Sequence, residues 1–349
     1  MPLVFLGLGI HGVEGIPLVG LQTLKASDEA YLEKYTSPIS EETLSELNAL
    51  VDKEVMTASR EFVEDGRILL DHARKDLVVL VVPGDPMIAT THSELATRCR
   101  KLGIETRTIH NSSVLTALAG EIGLHAYNFG KPVTITQGPP ASMATVYSTL
   151  HSNLTRYLHT VLLIQYDVDS SYFVPPNEAI ASLLETEKSY RWNAFRGDSF
   201  VIVASRLGMS GQTISAGQAI GLSKESFGPS PHSIVVPGRL HFTETEAISA
   251  VAGIKPEEIV DNASSAISVA QSLLPGYVEK TRKALVEATN TLGEKKEKFA
   301  SLFENVDLYA SDAERFLQEG KGELAFLSIG YAEGLLDALR FTGELEIQW

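Results

Sequence analysis

The stretch Leu77-Val78-Val79-Leu80-Val81-Val82-Pro83-Gly84-Asp85-Pro86-Met87-Ile88-Ala89-Thr90-Thr91-His92 decides how this chain folds. An aliphatic run that stops at Pro83 is far short of the roughly 20 residues needed to cross a bilayer. It reads as a strand buried on both faces, as in a parallel sheet. Two prolines and a glycine then force an abrupt turn, and hydroxyls and a histidine open the next helix. Asp85 could simply cap that helix. The double proline constrains the backbone more than a cap needs, so Asp85 is expected to face a ligand, an adenosyl sugar or a positively charged group. As a polar turn residue it should matter little to the fold.

Working outward, similar runs recur at residues 3–6, 133–136, 161–164, 200–204 and 233–236, with a half-polar strand at Thr106–Ile109. Amphipathic stretches such as 41–50 and 92–102 lie between them. Strand alternating with helix predicts a layered α/β fold. Gly7, Gly9, Pro83, Gly84, Pro237 and Gly238 fall at strand C-terminal ends, the edge where open α/β sheets bind ligands. Residues 111–131 should carry the chain from one α/β lobe to a second. After Asn262 the strand signal ceases. Gly320 reads as a helix C-cap, and residues 325–339 carry a broad apolar helical face that requires partner helices. The expected domains are 1–112 and 113–262, both α/β, and an all-α 263–349.

A length of 349 residues implies two or three domains. Cys99 is the only cysteine, which excludes an internal disulfide and fits a reducing compartment. The nine histidines do not fall with acids at metal-ligand spacing, so no metal is expected. A net charge of −15 disfavours direct nucleic-acid binding and suits a basic protein surface as partner. Nine Lys/Arg and fourteen Asp/Glu follow Asn262, which leaves −10 on the residues before them. Met1-Pro2-Leu3-Val4-Phe5-Leu6-Gly7 lacks the basic start of a signal peptide, so a cytoplasmic protein with no membrane segment is expected.

Gly7-Leu8-Gly9-Ile10-His11-Gly12 matches G-x-G-x-x-G, with Glu29 near the spacing of a ribose-binding acid. That pattern arises easily among 27 glycines, and Glu29 lies in a polar run. The plainer reading is a strand that turns tightly, with room for a ligand against it. His110-Asn111-Ser112-Ser113 is either a helix N-cap or a set of donors for a nucleoside. His232, between turn residues and a strand, is either structural or ligand-facing. The sequence has no nucleophile elbow, Walker loop or H-E-x-x-H, which fits chemistry needing neither a metal nor a protein nucleophile.

Several segments together resemble the diphthine synthases, class III methyltransferases of the tetrapyrrole-methylase-like fold. They are Phe5-Leu6-Gly7-Leu8-Gly9, Tyr35-Thr36-Ser37, Gly84-Asp85-Pro86 with Ala89-Thr90-Thr91-His92, Ile109-His110-Asn111-Ser112-Ser113, Phe129-Gly130-Lys131, Leu158-His159-Thr160 and Pro231-His232-Ser233. Gly84-Asp85-Pro86 marks the superfamily; Ala-Thr-Thr-His and Tyr-Thr-Ser narrow it. The resemblance, from about residue 3 to 260, implies a homodimer of two-lobed subunits with S-adenosylmethionine in the cleft between lobes. It implies methylation of the amino group of a modified histidine on translation elongation factor 2. Cofactor contacts then fall on Ile10, Asp85, Ile88, Ser113, Val114, Ile164, Leu207 and His232. The chain departs from the family at Gln165, where an acid is usual, at Ser205, where alanine is usual, and at residues 138–142, which lack aromatics. Its C-terminal part resembles a small archaeal helical domain of unknown function, which implies an archaeal source.

Methyl transfer from a sulfonium needs alignment with a neutral amine more than a strong base. His92 and Tyr35 are the candidates for helping the amine lose its proton. Two alternatives are a methylase of a corrin or tetrapyrrole precursor, against which Ala-Thr-Thr-His speaks, and a cofactor-free scaffold recruiting partners through its helical tail.

Overall fold

The structure, a computed structural model, describes residues 2–137, 140–167, 172–266 and 268–345. Two compact units divide the chain: one takes the residues up to Lys188 and Phe195–Ser264, the other Ser189–Ala194 and everything from Ser265.

The first unit opens with β1 (Leu3–Gly9), α1 (Leu18–Ala26), β2 (Glu29–Glu33), α2 (Glu41–Val51), β3 (Met56–Ala58), α3 (Arg60–Asp65), α4 (Arg67–Ala73), β4 (Val78–Pro83), α5 (His92–Lys101) and β5 (Thr106–Ile109). All five strands are parallel, in the order β3-β2-β4-β1-β5. Strand alternation divides β1 and β4 between two cores. Leu3, Phe5, Val78, Leu80 and Val82 pack with α3, α4 and α5, whereas Val4, Leu6, Leu8, Val79 and Val81 pack with α1 and α2. With both faces covered, every position must be apolar, hence the unbroken aliphatic run. β2 escapes the sequence reading because Glu29 and Glu33 interrupt that pattern, yet Glu33 is wholly buried.

After α6 (Val114–Ile122) come β6 (Val133–Ile135), α7 (Pro140–Leu154), β7 (Thr160–Ile164), the short pair β8 (Tyr166–Asp167) and β9 (Tyr172–Phe173), and α8 (Pro176–Tyr190). β10 (Phe200–Ser205), β11 (Thr213–Gln218), α9 (Ala219–Leu222), β12 (His232–Val236) and α10 (Phe242–Ala252) follow. Their mixed sheet has the order β11-β10-β12-β7-β6, with β6 and β7 parallel and the other pairs antiparallel. Leu118 and Ile122 of α6 and Ile248 of α10 cover one face, against Val161, Phe200, Ile202 and Val235. β11 is a half-exposed edge strand of small and polar residues, so no aliphatic run announces it.

Glu244, wholly buried in the first turn of α10, ties this half together. Its carboxylate accepts His125 N at 2.7 Å, His241 N at 2.8 Å and His159 Nε2 at 3.1 Å. His159 Nδ1 accepts from Gly238 N at 2.8 Å, so the ring proton sits on Nε2 and the imidazole is neutral. Burial holds His159 below the usual imidazole range. Burial alone would raise Glu244, but the N–H groups of His241 and His125, with His159, outweigh it and hold the carboxyl low.

The second unit is built on α11 (Val269–Leu292), α12 (Ala300–Gln318) and α13 (Gly322–Phe341). Leu274, Val278, Phe303, Val306, Ile329 and Leu336 form its core, and buried alanines let the helices approach closely. No helix among the described residues is long and apolar enough to cross a membrane.

Two stability predictions follow from these contacts. Groups whose folded pKa is depressed contribute stability above their unfolded values and lose it as pH falls. His159 should therefore destabilise the protein below about pH 6.5, and Glu244 below about 4.5. His159→Asn keeps an acceptor for Gly238 N but cannot titrate. Melting curves between about pH 7 and 5 should slope less steeply for this variant than for the wild type, and equal slopes would remove His159 as the cause. The second prediction concerns Asn262, which bonds both backbone groups of Phe200 at 2.8 Å and the Pro237 carbonyl at 2.9 Å. A chain ended after Ser264 should melt cooperatively, whereas one ended after Val260 should lose several degrees of thermal stability. Indistinguishable melting of the two would show that Asn262 does not close the unit.

Candidate functional site

Three strand ends of the first sheet are joined at one point. Gly9 N donates to Gly84 O and Gly84 N to Gly9 O, both at 3.0 Å, tying the end of β1 to the turn after β4. Asn111, just past β5, donates from Nδ2 to Gly7 O at 3.0 Å and Gly15 O at 2.9 Å. A Cβ at Gly7 would stand 2.7 Å from Gly84 O, and one at Gly9, where φ is 78°, 2.8 Å from the Asn111 amide. The glycines serve this three-way approach. Glu29 instead opens β2 level with Val78, at the opposite end of the sheet, and holds His72 Nδ1 and Tyr31 OH at 2.7 Å each. The ribose-acid reading of the glycine motif fails on that geometry.

Asp85 is 3% exposed, and its carboxylate accepts three hydrogen bonds. Oδ1 accepts Met87 N at 2.9 Å; Oδ2 accepts His110 Nδ1 at 2.8 Å and Asn111 N at 3.2 Å. The side chain closes its own turn and ties β4 to β5. This corrects the expectation that Asp85 matters little to the fold: its partners lie 25 and 26 residues away. Ile88 sits in the same turn, its N–H donating to Asp85 O at 3.3 Å.

The second sheet presents an edge of its own. His232 pairs with Ser205 and Ser233 with Leu163, so the start of β12 and the ends of β7 and β10 lie level, with Ile164 and Leu207 adjoining them. Ile10 reaches this edge: a Cβ at Gly208 would lie 2.6 Å from Ile10 Cγ1, and His11 Nδ1 is 2.7 Å from Gly208 O. Ile10, Val114 and Leu207 join one apolar cluster. Ser113, the N-cap of α6, is buried and closes a capping box with Thr116, whose Oγ1 accepts Ser113 N at 3.0 Å; Ser205 Oγ is buried nearby. His232 Nε2 donates to Phe227 O at 3.3 Å, and burial outweighs its carbonyl partners to hold the ring below the usual imidazole range.

His92 and Tyr35 are buried beside Glu33, a residue the sequence reading did not single out although it stands two positions before Tyr35-Thr36-Ser37. Gly208, also missed, carries no signal beyond being a glycine. Gln165, the departure from the usual acid, accepts Gln137 N at 3.0 Å. Of the loop 138–142, Gly138 and Pro139 lie outside the described residues. Among the described residues no three His, Cys, Asp or Glu side chains converge to hold a metal.

Residues 2–219 match the family of Tetrapyrrole (Corrin/Porphyrin) Methylases, and residues 276–345 match a family described as a protein of unknown function, DUF357. A diphthine synthase of Methanosarcina mazei is 38% identical over 266 residues, covering 74% of this chain and 99% of that protein. One from Methanothermobacter thermautotrophicus is 32% identical over 260 residues, covering 74% and 98%. The crystal structure of a diphthine synthase gives a TM-score of 0.64 at 30% identity, over 74% of this chain and 98% of the other. That of a conserved hypothetical protein from Aeropyrum pernix gives 0.66 at 26% identity, over 76% and 94%. The chain belongs to the tetrapyrrole methylase family and, within it, groups with the diphthine synthases.

Asp85→Ala should lower the melting temperature as well as cofactor affinity, because it takes the acceptor from the partly buried N–H groups of Met87 and Asn111, at a cost of about 1 kcal/mol each. Asp85→Asn, which keeps one carbonyl acceptor, should fall between it and the wild type. An Asp85→Ala protein that melts like the wild type would remove the turn-closing role.

Proposed function

We propose that this protein uses S-adenosylmethionine to methylate the amino group of the modified histidine on translation elongation factor 2, giving diphthine. The observation that carries this reading is that the relatives named diphthine synthase match along 98–99% of their own length, leaving almost none of them without a counterpart here. The site residues fit the cofactor. Ile10, Val114 and Leu207 offer an apolar surface for an adenine face, and the hydroxyl of Ser113 beside them suits a polar atom of the nucleoside. Asp85, Ile88, Ile164 and His232 complete the set. When bound, the cofactor supplies a methyl carbon made electrophilic by its sulfonium. The chain's part is to hold the amine in line and exclude water, and such alignment can lower a barrier by roughly 7–11 kcal/mol. The same reading makes the protein a cytoplasmic homodimer that needs neither metal nor nucleic acid.

Incubation with methyl-labelled cofactor and elongation factor 2 carrying the precursor histidine should label the factor. Cofactor binding without label transfer would rule out this substrate. With −10 on the residues up to Asn262, initial rates at sub-saturating factor should fall as salt rises while cofactor affinity barely moves. A flat salt profile would remove electrostatic steering.

A further inference from the structure

The turn that carries Asp85 and Ile88 is held by a buried group that the reading above leaves without a task. His92, the first residue of α5, has a side chain fully shielded from solvent. Its Nδ1 lies 2.9 Å from Pro86 O, and because a carbonyl only accepts, Nδ1 carries the proton and donates. Thr90 Oγ1 donates to the same carbonyl at 2.8 Å. On the other side of the ring, Nε2 lies 3.1 Å from Tyr35 OH and 3.2 Å from Glu33 Oε2. Glu33 ends β2, and Thr36 Oγ1 donates to its second oxygen. Between Pro86 and His92, Ala89 adopts φ 56°, a left-handed conformation that alanine does not choose by itself and that surrounding contacts must impose.

With its ring buried and both nitrogens engaged, His92 faces protein on every side. A carboxylate, a phenol and an imidazole sealed in a core add little stability over apolar residues of equal volume; what they supply is a fixed geometry. We propose that His92 is a positioning residue, anchored at Nε2 by the Tyr35 hydroxyl, whose Nδ1–H bond to Pro86 O sets the 84–91 turn in the shape that receives the cofactor. The proposal rests on the methyltransferase reading and deepens it.

Calorimetry with S-adenosylmethionine on the full chain tests it, with thermal melting of each variant as the check on folding. Absence of binding to the wild type would overturn the methyltransferase reading itself. Given wild-type binding, His92→Gln loses the Nδ1 donor and should raise Kd about tenfold, equivalent to one hydrogen bond. His92→Asn places its amide nitrogen where Nδ1 stood and should stay within about threefold of the wild type. A folded His92→Gln protein with wild-type affinity overturns the proposal. Equal weakening in both variants also overturns it, since that pattern means packing alone. If His92→Gln does not fold, Thr90→Val removes the second donor to the same carbonyl at a half-exposed position. It should raise Kd for the cofactor. An unchanged Kd in Thr90→Val then overturns the proposal.

Discussion

In a parallel sheet all strands end on one edge, and in the first unit three of those ends lie within hydrogen-bond reach of one another. Gly9 and Gly84 bridge reciprocally, and on the β1 side there is no room for side chains: a Cβ on Gly7 would meet Gly84 O at 2.7 Å and one on Gly9 the Asn111 amide at 2.8 Å. Asn111 fills the remaining gap and satisfies carbonyls from two further positions. Everything proposed for the site depends on that junction: the direction in which Ile10 leaves β1, the turn that carries Asp85 and Ile88, and the start of α6 at Ser113. The glycines are there to let backbone meet backbone.

The second sheet completes what the first begins. Its edge supplies Leu207 and His232, and Gly208 has no side chain where Ile10 arrives. The resulting surface is apolar, with the buried hydroxyls of Ser113 and Ser205 beside it.

Away from the seam, buried carboxylates do the joining that hydrophobic layers cannot. Aliphatic side chains bring sheets and helices together, but apolar attraction is non-directional and tolerates small slips. Asp85 gathers N–H groups from its own turn and from the end of β5; Glu244 gathers them from three segments, and through His159 reaches Gly238. Each is a directional fastener between segments far apart in sequence.

The aliphatic runs at β1, β4, β7, β10 and β12, the proline-glycine turn at 83–86 and the change to helical spacing after Asn262 were legible in the sequence, because strand burial and helix amphipathicity leave a periodic local trace. The glycine motif was legible as a tight turn, and Ala-Thr-Thr-His as a family mark. Tertiary structure alone decided that Glu29 stands at the wrong end of the sheet to bind a ribose, that β2 and β11 are strands, and that Asp85 ties the turn after β4 to the end of β5. It also decided that His92 and Tyr35 face each other in a closed core. The reason is the same in each case. A hydrophobic pattern is a property of neighbouring residues, whereas the satisfaction of a buried polar group depends on partners from distant segments, which only the folded chain brings together.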